Sequence, residues 1–193
     1  MTRVAIVDPQ PAVRAGLMAM LRGEPGLEPV GAAGSGADAL ALLARAAPDL
    51  VLLEPRLGGG GDGVQLCRRI TAGERGPRVV AYTDAPDPGL VLAMRVAGAD
   101  GLVDKLAPPA ELFAALRLVA RGETALPPVT PEQLDAAAKR VESDDLALLA
   151  MLVDRTPAAE VAEALRLDRR RMTRRVERLL TRLRTRSGTV PAA

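Results

Sequence analysis

Four side chains set the chemistry open to this chain: Asp8, Glu54, Thr83 and Lys105. Each closes a short, largely apolar segment, most clearly Leu50-Val51-Leu52-Leu53 before Glu54. A continuous apolar run of that length reads as a strand buried on both faces, as parallel sheets require. Open α/β sheets gather their functional groups beyond the carboxyl ends of the strands. Two acids, a hydroxyl and an ammonium collected there are what a Mg²⁺-assisted phosphoryl acceptor needs. The acids hold the metal, one carboxylate attacks, and the hydroxyl and lysine bind the phosphoryl oxygens. An Asp in place of Glu54 would read as the acceptor.

A second chemistry lies at the other end. Residues 166–186 hold ten Arg against Asp168 and Glu177, net +8, whereas the whole chain carries only +2. At 100° per residue, Met172, Val176, Leu179, Leu180 and Leu183 form one apolar stripe over Arg169–Leu183. Arg170, Arg174 and Arg178 fall opposite it, with Arg171 beside them and Thr173 on a flank. Arg169, Arg170 and Arg171 crowd the positive end of the helix dipole, where each cation is disfavoured by roughly 0.3–1 kcal/mol. A solvated charged face accounts for solubility but not for arginines in place of acids at a helix start. Residues at the start of a recognition helix face base edges and phosphates in the major groove. Arg169, Arg170, Arg171, Thr173, Arg174, Arg178 and Arg182 are therefore the candidate DNA contacts.

The elements that must position these groups follow from spacing. Strands are predicted at Arg3–Asp8, Glu28–Ala33, Leu50–Glu54, Arg78–Thr83 and Gly101–Lys105. Helices are predicted between them at Pro11–Leu21, Ala37–Ala46 behind a Ser35 cap, Val64–Thr71, Pro88–Ala97 and Pro109–Arg121. Such alternation implies right-handed crossovers and a doubly wound, flavodoxin-like five-stranded parallel sheet of order 2-1-3-4-5. A small all-α domain follows. The expected boundaries are 1–121 for the α/β domain, 122–143 for a linker regaining helix over Glu132–Val141, 144–186 for the helical domain and 187–193 for a tail. In the helical domain Asp145–Val153 is apolar at helical spacing, Thr156 is expected to cap a helix with Pro157 at its first position, and Asp168 to cap the last helix.

Composition bounds the rest. With 48% apolar and 26% charged residues over 193 positions, the chain fits a soluble α/β domain plus a small second one. Tyr82 and Phe113 are the only aromatics, so the core is built from Ala, Leu and Val. The single Cys67 cannot form an internal disulfide and reads as a small buried apolar residue, so a reducing cytoplasm is expected. Neither a signal pattern nor a membrane-length apolar run is read in the sequence. The chain has no His, no Cys pair and no nucleophile–base arrangement, so an enzyme is not expected.

Residues 1–121 resemble a response-regulator receiver domain. The likeness rests on Val4-Ala5-Ile6-Val7-Asp8-Pro9-Gln10-Pro11, on Pro48-Asp49-Leu50-Val51-Leu52-Leu53-Glu54, and on Ala97-Gly98-Ala99-Asp100-Gly101-Leu102-Val103-Asp104-Lys105. Residues 144–186 resemble the LuxR-type helix-turn-helix, above all in Glu160-Val161-Ala162-Glu163-Ala164-Leu165. Together they have the arrangement of the NarL/FixJ response regulators.

The resemblance implies a phosphorylation pocket, and the chain departs from it. Pro9 stands where the family has a second metal-binding acid. Glu54 replaces the acceptor Asp and displaces its carboxylate by about one C–C bond, spoiling in-line geometry. Leu102 replaces the switch aromatic, and the loop from Gly58 to Gly63 is longer than usual. The expectation is a degenerate pocket of Asp8, Pro9, Glu54, Thr83 and Lys105, with Lys105 paired to Glu54 or Asp8. Mg²⁺ binding there is expected to be weak or absent, and no other cofactor is implied. Glu54 mimicking a phosphorylated Asp, a small-molecule ligand in the pocket, and a pure dimerisation scaffold are the competing readings.

The functional expectation is a double-stranded-DNA-binding transcription regulator, dimeric through its receiver, with RNA polymerase as a further candidate partner and no membrane. The dimer surface implied by the resemblance spans Leu90–Ala97 and Leu112–Ala120, although Leu92, Leu116 and Val119 also suit a core. The short tail from Thr185 cannot supply the family's last dimer helix. The alternative is a receiver-bearing RNA-binding antiterminator, disfavoured because residues 122–193 hold no aromatic for base stacking.

Overall fold

The computed structural model describes residues 1–58, 62–73 and 76–184. The expectations for Gly59, Gly60 and Gly61 and for the tail from Thr185 fall outside these residues. Strands β1 (Thr2–Val7), β2 (Leu27–Ala33), β3 (Leu50–Leu53), β4 (Arg78–Thr83) and β5 (Gly101–Asp104) form one parallel sheet in the order β2-β1-β3-β4-β5. This is the flavodoxin-like order expected from the sequence. Helices α1 (Pro11–Arg22), α2 (Gly36–Ala46), α3 (Gly63–Thr71), α4 (Pro88–Val96) and α5 (Pro109–Ala120) alternate with the strands. Contacts divide the chain into two compact units: Met1–Pro86 with Ala97–Pro127, and Asp87–Val96 with the chain from Pro128 onward.

In the first unit the sheet is covered on both faces, and Val4, Ala5, Ile6 and Val7 are all fully buried. Ile6, Leu17, Leu21, Leu50, Leu52, Leu112, Leu116 and Val119 lie in one apolar cluster. Each such side chain contributes about 1.5–3 kcal/mol through burial. Cys67 is fully buried, as a small apolar residue would be. Pro29, which cannot donate to a ladder, is tolerated because β2 is an edge strand, and the β1–β2 register slips between Val4 and Ala5 beside it.

Register places the functional groups. Val7 pairs with Leu53, and the Glu54 N–H donates to the Val7 carbonyl at 2.8 Å, so Asp8 and Glu54 leave adjacent central strands side by side. Thr83 pairs with Asp104, and the Lys105 N–H donates to the Thr83 carbonyl at 2.8 Å. After Glu54 the chain folds back so closely that a Cβ on Gly63 would lie 2.5 Å from the Glu54 carbonyl oxygen and 2.7 Å from Pro55 Cα. Only glycine fits there. Asp62 then caps α3 by accepting from the Gln65 N–H.

The second unit contains α4 with α6 (Pro131–Ala138), α7 (Leu146–Val153), α8 (Ala158–Ala164) and α9 (Arg169–Arg184), and a single 3-10 turn at Ser143–Asp145 precedes α7. Within it α4 packs against α7 and α9. Leu90, Leu92, Ala93, Met94 and Val96 are all buried, so most of the apolar surface of α4 is core, with Val91 half-buried. Leu116 and Val119 of α5 are likewise core.

Most element ends shift from expectation by a single residue, and the larger departures lie in the second unit. Helix α6 starts one residue earlier and stops three earlier, because Thr130 and Gln133 form a reciprocal capping box at its start. Thr156 does not cap α8; Pro157 occupies that position without a side-chain cap. The Thr156 N–H instead donates to the Met151 carbonyl, closing α7 through Arg155 in the left-handed conformation at φ 59°. Arg166, at φ 51°, makes the same kind of turn between α8 and α9.

Candidate functional site

At the carboxyl edge of the sheet, Asp8, Glu54, Thr83 and Lys105 meet in one ion-paired cluster. Lys105 Nζ donates to Asp8 Oδ2 at 2.6 Å and lies 2.8 Å from Glu54 Oε2. Asp8 is 2% and Glu54 4% exposed, so a single ammonium serves two carboxylates that are out of water. The second oxygen of Glu54, Oε1, accepts from the Thr83 hydroxyl at 3.2 Å and from the Arg56 backbone N–H at 2.8 Å. Asp8 Oδ1 accepts from the Gln10 N–H at 2.8 Å. Every oxygen of both acids therefore has a partner. The sequence pattern offers Lys105 to one acid or the other; the structure gives it to both.

The electrostatics follow from that geometry. Burial alone would lower the Lys105 ammonium. The hydrogen bonds and charges of Asp8 and Glu54 more than offset it, holding the group above its usual range. The ammonium also lies 5.8 Å from the centre of the Tyr82 ring, within cation–π reach. Burial pushes the Tyr82 phenol up, with the Lys105 charge opposing. Arg56 is a participant that sequence reasoning misses. Its guanidinium donates to the Ala85 carbonyl at 2.9 Å and lies 3.4 Å from Thr83 Oγ1, across the outer side of the cluster. A basic residue two positions after Glu54 is the available signal.

A divalent cation does not fit this arrangement. The ammonium lies between the two carboxylates, and Pro9 supplies no side-chain oxygen. Among the described residues no three His, Cys, Asp or Glu side chains group to hold a metal. Leu102, at the position of the switch aromatic, is buried at 8% exposure.

In the second unit α9 presents the expected two faces. Met172, Val176, Leu179, Leu180 and Leu183 are buried, and Asp168 caps the helix by accepting from the Arg171 N–H at 2.8 Å. Arg169, Arg170, Arg171, Thr173, Arg174 and Arg178 are exposed. Arg182 differs. It pairs with Glu142, and its carbonyl and that of Leu183 accept from Arg140, so it serves the helix end. Arg175, absent from the candidate contacts, is drawn inward to Asp145 at 2.6 Å.

The family pattern of the response regulator receiver domain matches residues 4–117. The chain belongs to the response regulator receiver family. This response regulator is 30% identical over 193 residues to the DNA-binding transcriptional activator DevR/DosR of Mycobacterium tuberculosis, covering 95% of its own length and 88% of that protein. It is 34% identical over 134 residues to the response regulator GacA of Pseudomonas viridiflava, covering 69% of its own length and 62% of that relative. Among solved structures it resembles a LuxR-family two-component response regulator from an Aurantimonas species, with TM-score 0.61, 30% identity, and coverage of 74% of this chain and 99% of that one. It also resembles RcsB of Salmonella enterica serovar Typhimurium bound to promoter rprA with the phosphomimetic BeF3-, at TM-score 0.62 and 18% identity over 97% of this chain and 94% of that one. At that identity the likeness to RcsB speaks for the fold alone. Among the described residues no helix is long and apolar enough to cross a membrane.

Proposed function

We propose that this response regulator is a sequence-specific double-stranded-DNA-binding transcription regulator whose receiver is set by its own ion-paired cluster rather than by phosphorylation. The observation that carries the DNA reading is the exposed arginine face of α9, with no acid in the first turn of the helix. An α-helix of this kind fits the major groove, its first residues at base edges and its later cations at phosphates. DevR/DosR, a relative along nearly the whole chain, is itself a DNA-binding transcriptional activator. No enzymatic activity is proposed.

For the receiver, the support is the complete mutual pairing of Asp8, Glu54, Thr83 and Lys105. A phosphorylated Asp would offer anionic oxygens to the hydroxyl and the ammonium, and Glu54 delivers carboxylate oxygens to both. With every acid oxygen engaged, a constitutive state is favoured over a small-molecule ligand in the pocket. We further propose that the regulator works as a homodimer in the cytoplasm. Because Leu90, Leu92, Ala93, Met94 and Val96 are buried as core, assembly is assigned to receiver surface outside Leu90–Ala97.

Selection of bound duplexes from a random DNA pool tests the central reading. A recurrent motif is expected, with affinity falling by a log–log slope of about −5 against salt if roughly six phosphates are neutralised. Spacing of half-sites in that motif reports the dimer. Failure to enrich any duplex, or stronger retention of a hairpin RNA in direct competition, refutes it.

A further inference from the structure

Asp145 stands at the residue from which α7 begins, where an Asp side chain ordinarily caps the helix by accepting from a backbone N–H two or three residues on. It makes no such bond. Its carboxylate, at 1% exposure, is instead turned toward α9. Arg175 Nε donates to Oδ1 at 2.6 Å, and Arg178 Nη2 lies 3.7 Å from Oδ2. Arg175 also donates to the Asp144 carbonyl.

The two arginines differ in what they leave open. The Arg175 side chain is 19% exposed and is spent on the clamp. The Arg178 side chain is 56% exposed: Nη2 reaches Asp145 while more than half of the side chain, with its five-donor fork, stays in solvent. It occupies the same outward face as Arg170 and Arg174. As the tenth residue of α9 it stands roughly 13 Å along the axis from the first, at 1.5 Å per residue, which suits a phosphate contact more than a base edge.

An acid beside a helix that binds a polyanion is, by charge alone, unfavourable for binding. Its placement is explained if it orders a cation. We propose that Asp145 is a positioning residue for DNA binding, holding the Arg178 guanidinium in one orientation on the outward face of α9. The proposal rests on the DNA-binding reading of that helix. A long side chain already held in place loses less freedom when it binds, and this preorganisation is what Asp145 contributes.

The test is a double-mutant cycle in the full-length chain on a duplex carrying the selected motif. Asp145→Asn is expected to weaken binding about three- to tenfold, the loss that corresponds to freeing one rotamer-rich side chain. Placed on Arg178→Ala, the same substitution is expected to cause no further loss. Orphaning of Arg175 occurs in both backgrounds and cancels in the cycle. Pure electrostatics gives the opposite sign: removing an acid would tighten binding of Asp145→Asn. A general role in docking α9 gives losses that add. Either result overturns the proposal while leaving the DNA reading intact, whereas absence of duplex binding by the unaltered chain sinks both.

Arg178→Lys provides a readout that does not depend on the folding of an Asp145 variant. It keeps the charge but loses the fork, so it is expected to bind nearly as weakly as Arg178→Ala. Binding equal to the unaltered chain would show that Arg178 acts as a bare cation and would refute the positioning role.

Discussion

Replacing Lys105 by Met removes the one ammonium shared by Asp8 and Glu54. Its nitrogen stands 2.6 and 2.8 Å from the two carboxylates, and the three side chains are only 11%, 2% and 5% exposed. Breaking a buried ion pair by deleting one partner costs about 3–5 kcal/mol, because the remaining charge is left uncompensated. Two carboxylates remain here, but the Thr83 hydroxyl and the Arg56 and Gln10 N–H groups still donate to them, so the same range is expected. For a chain of this size that corresponds to a fall in Tm of roughly 6–20 °C. Tyr82 is the only tyrosine and there is no tryptophan, so urea unfolding followed by tyrosine fluorescence reports on the first unit. Glu54→Gln leaves Asp8 paired and is expected to cost less, about 1–3 kcal/mol. The double variant Glu54→Gln/Lys105→Met is expected to be more stable than Lys105→Met alone. The pH dependence has a definite sign. The folded-state Lys105 is raised above its ordinary 10.5, so its contribution is fully present below about 10.5 and is lost as pH climbs through the higher folded value. The stability gap between the unaltered chain and Lys105→Met should therefore close at strongly alkaline pH. A loss under about 1 kcal/mol at neutral pH, against the 3–5 expected for a buried pair, would refute the shared-ammonium argument.

Three other outcomes are expected. Incubation with acetyl phosphate and Mg²⁺ leaves the unaltered chain without a hydroxylamine-sensitive acyl-phosphate label, while Pro9→Asp/Glu54→Asp regains one; label on the unaltered chain would overturn the phosphorylation-independent reading. Arg166→Gly relieves a left-handed non-glycine conformation costing roughly 1–2 kcal/mol, offset by glycine's own entropy, so a net gain of about 0.5–1 kcal/mol in stability of the second unit is expected by thermal melting. Sedimentation equilibrium across micromolar concentrations is expected to show a reversible dimer, and a strictly monomeric chain would refute the proposed assembly.

The sheet is legible in the sequence because its strands announce themselves. Leu50–Leu53 and Val4-Ala5-Ile6-Val7 are uninterrupted apolar runs, and their ends can be read to within a residue. Convergence of Asp8, Glu54, Thr83 and Lys105 follows from the strand order alone. The amphipathic stripe of α9 is equally plain, since all five of its apolar residues recur at helical spacing and all five are buried. Local competition is harder to read. Thr156-Pro157 looks like a helix start, yet Thr156 is used to finish α7, and only the left-handed Arg155 decides between the two. The capping box of Thr130 and Gln133 has a readable spacing, but the Pro-rich stretch before it masks the helix start. Partners distant along the chain leave no local trace. The separation of 30 residues between Asp145 and Arg175 follows no helical or strand period, so the diversion of a capping Asp to another helix emerges only from the packing.

The cluster at the sheet edge also has a place in the order of folding. Asp8 and Lys105 are 97 residues apart in sequence, and the hydrogen bond between them joins the end of β1 to the residue after β5. Closing so large a loop is entropically unfavourable until the intervening strands are paired. The bond is therefore expected to form late, after β3 and β4 have joined the sheet, and to be absent from the transition state. Interactions of that kind govern how slowly a protein comes apart rather than how fast it assembles. Lys105→Met should accordingly leave the refolding rate of the receiver nearly unchanged and multiply its unfolding rate by about two orders of magnitude or more, the kinetic equivalent of losing 3–5 kcal/mol. The same three side chains that stand where a phosphorylation switch would be are thus expected to set the lifetime of the folded receiver.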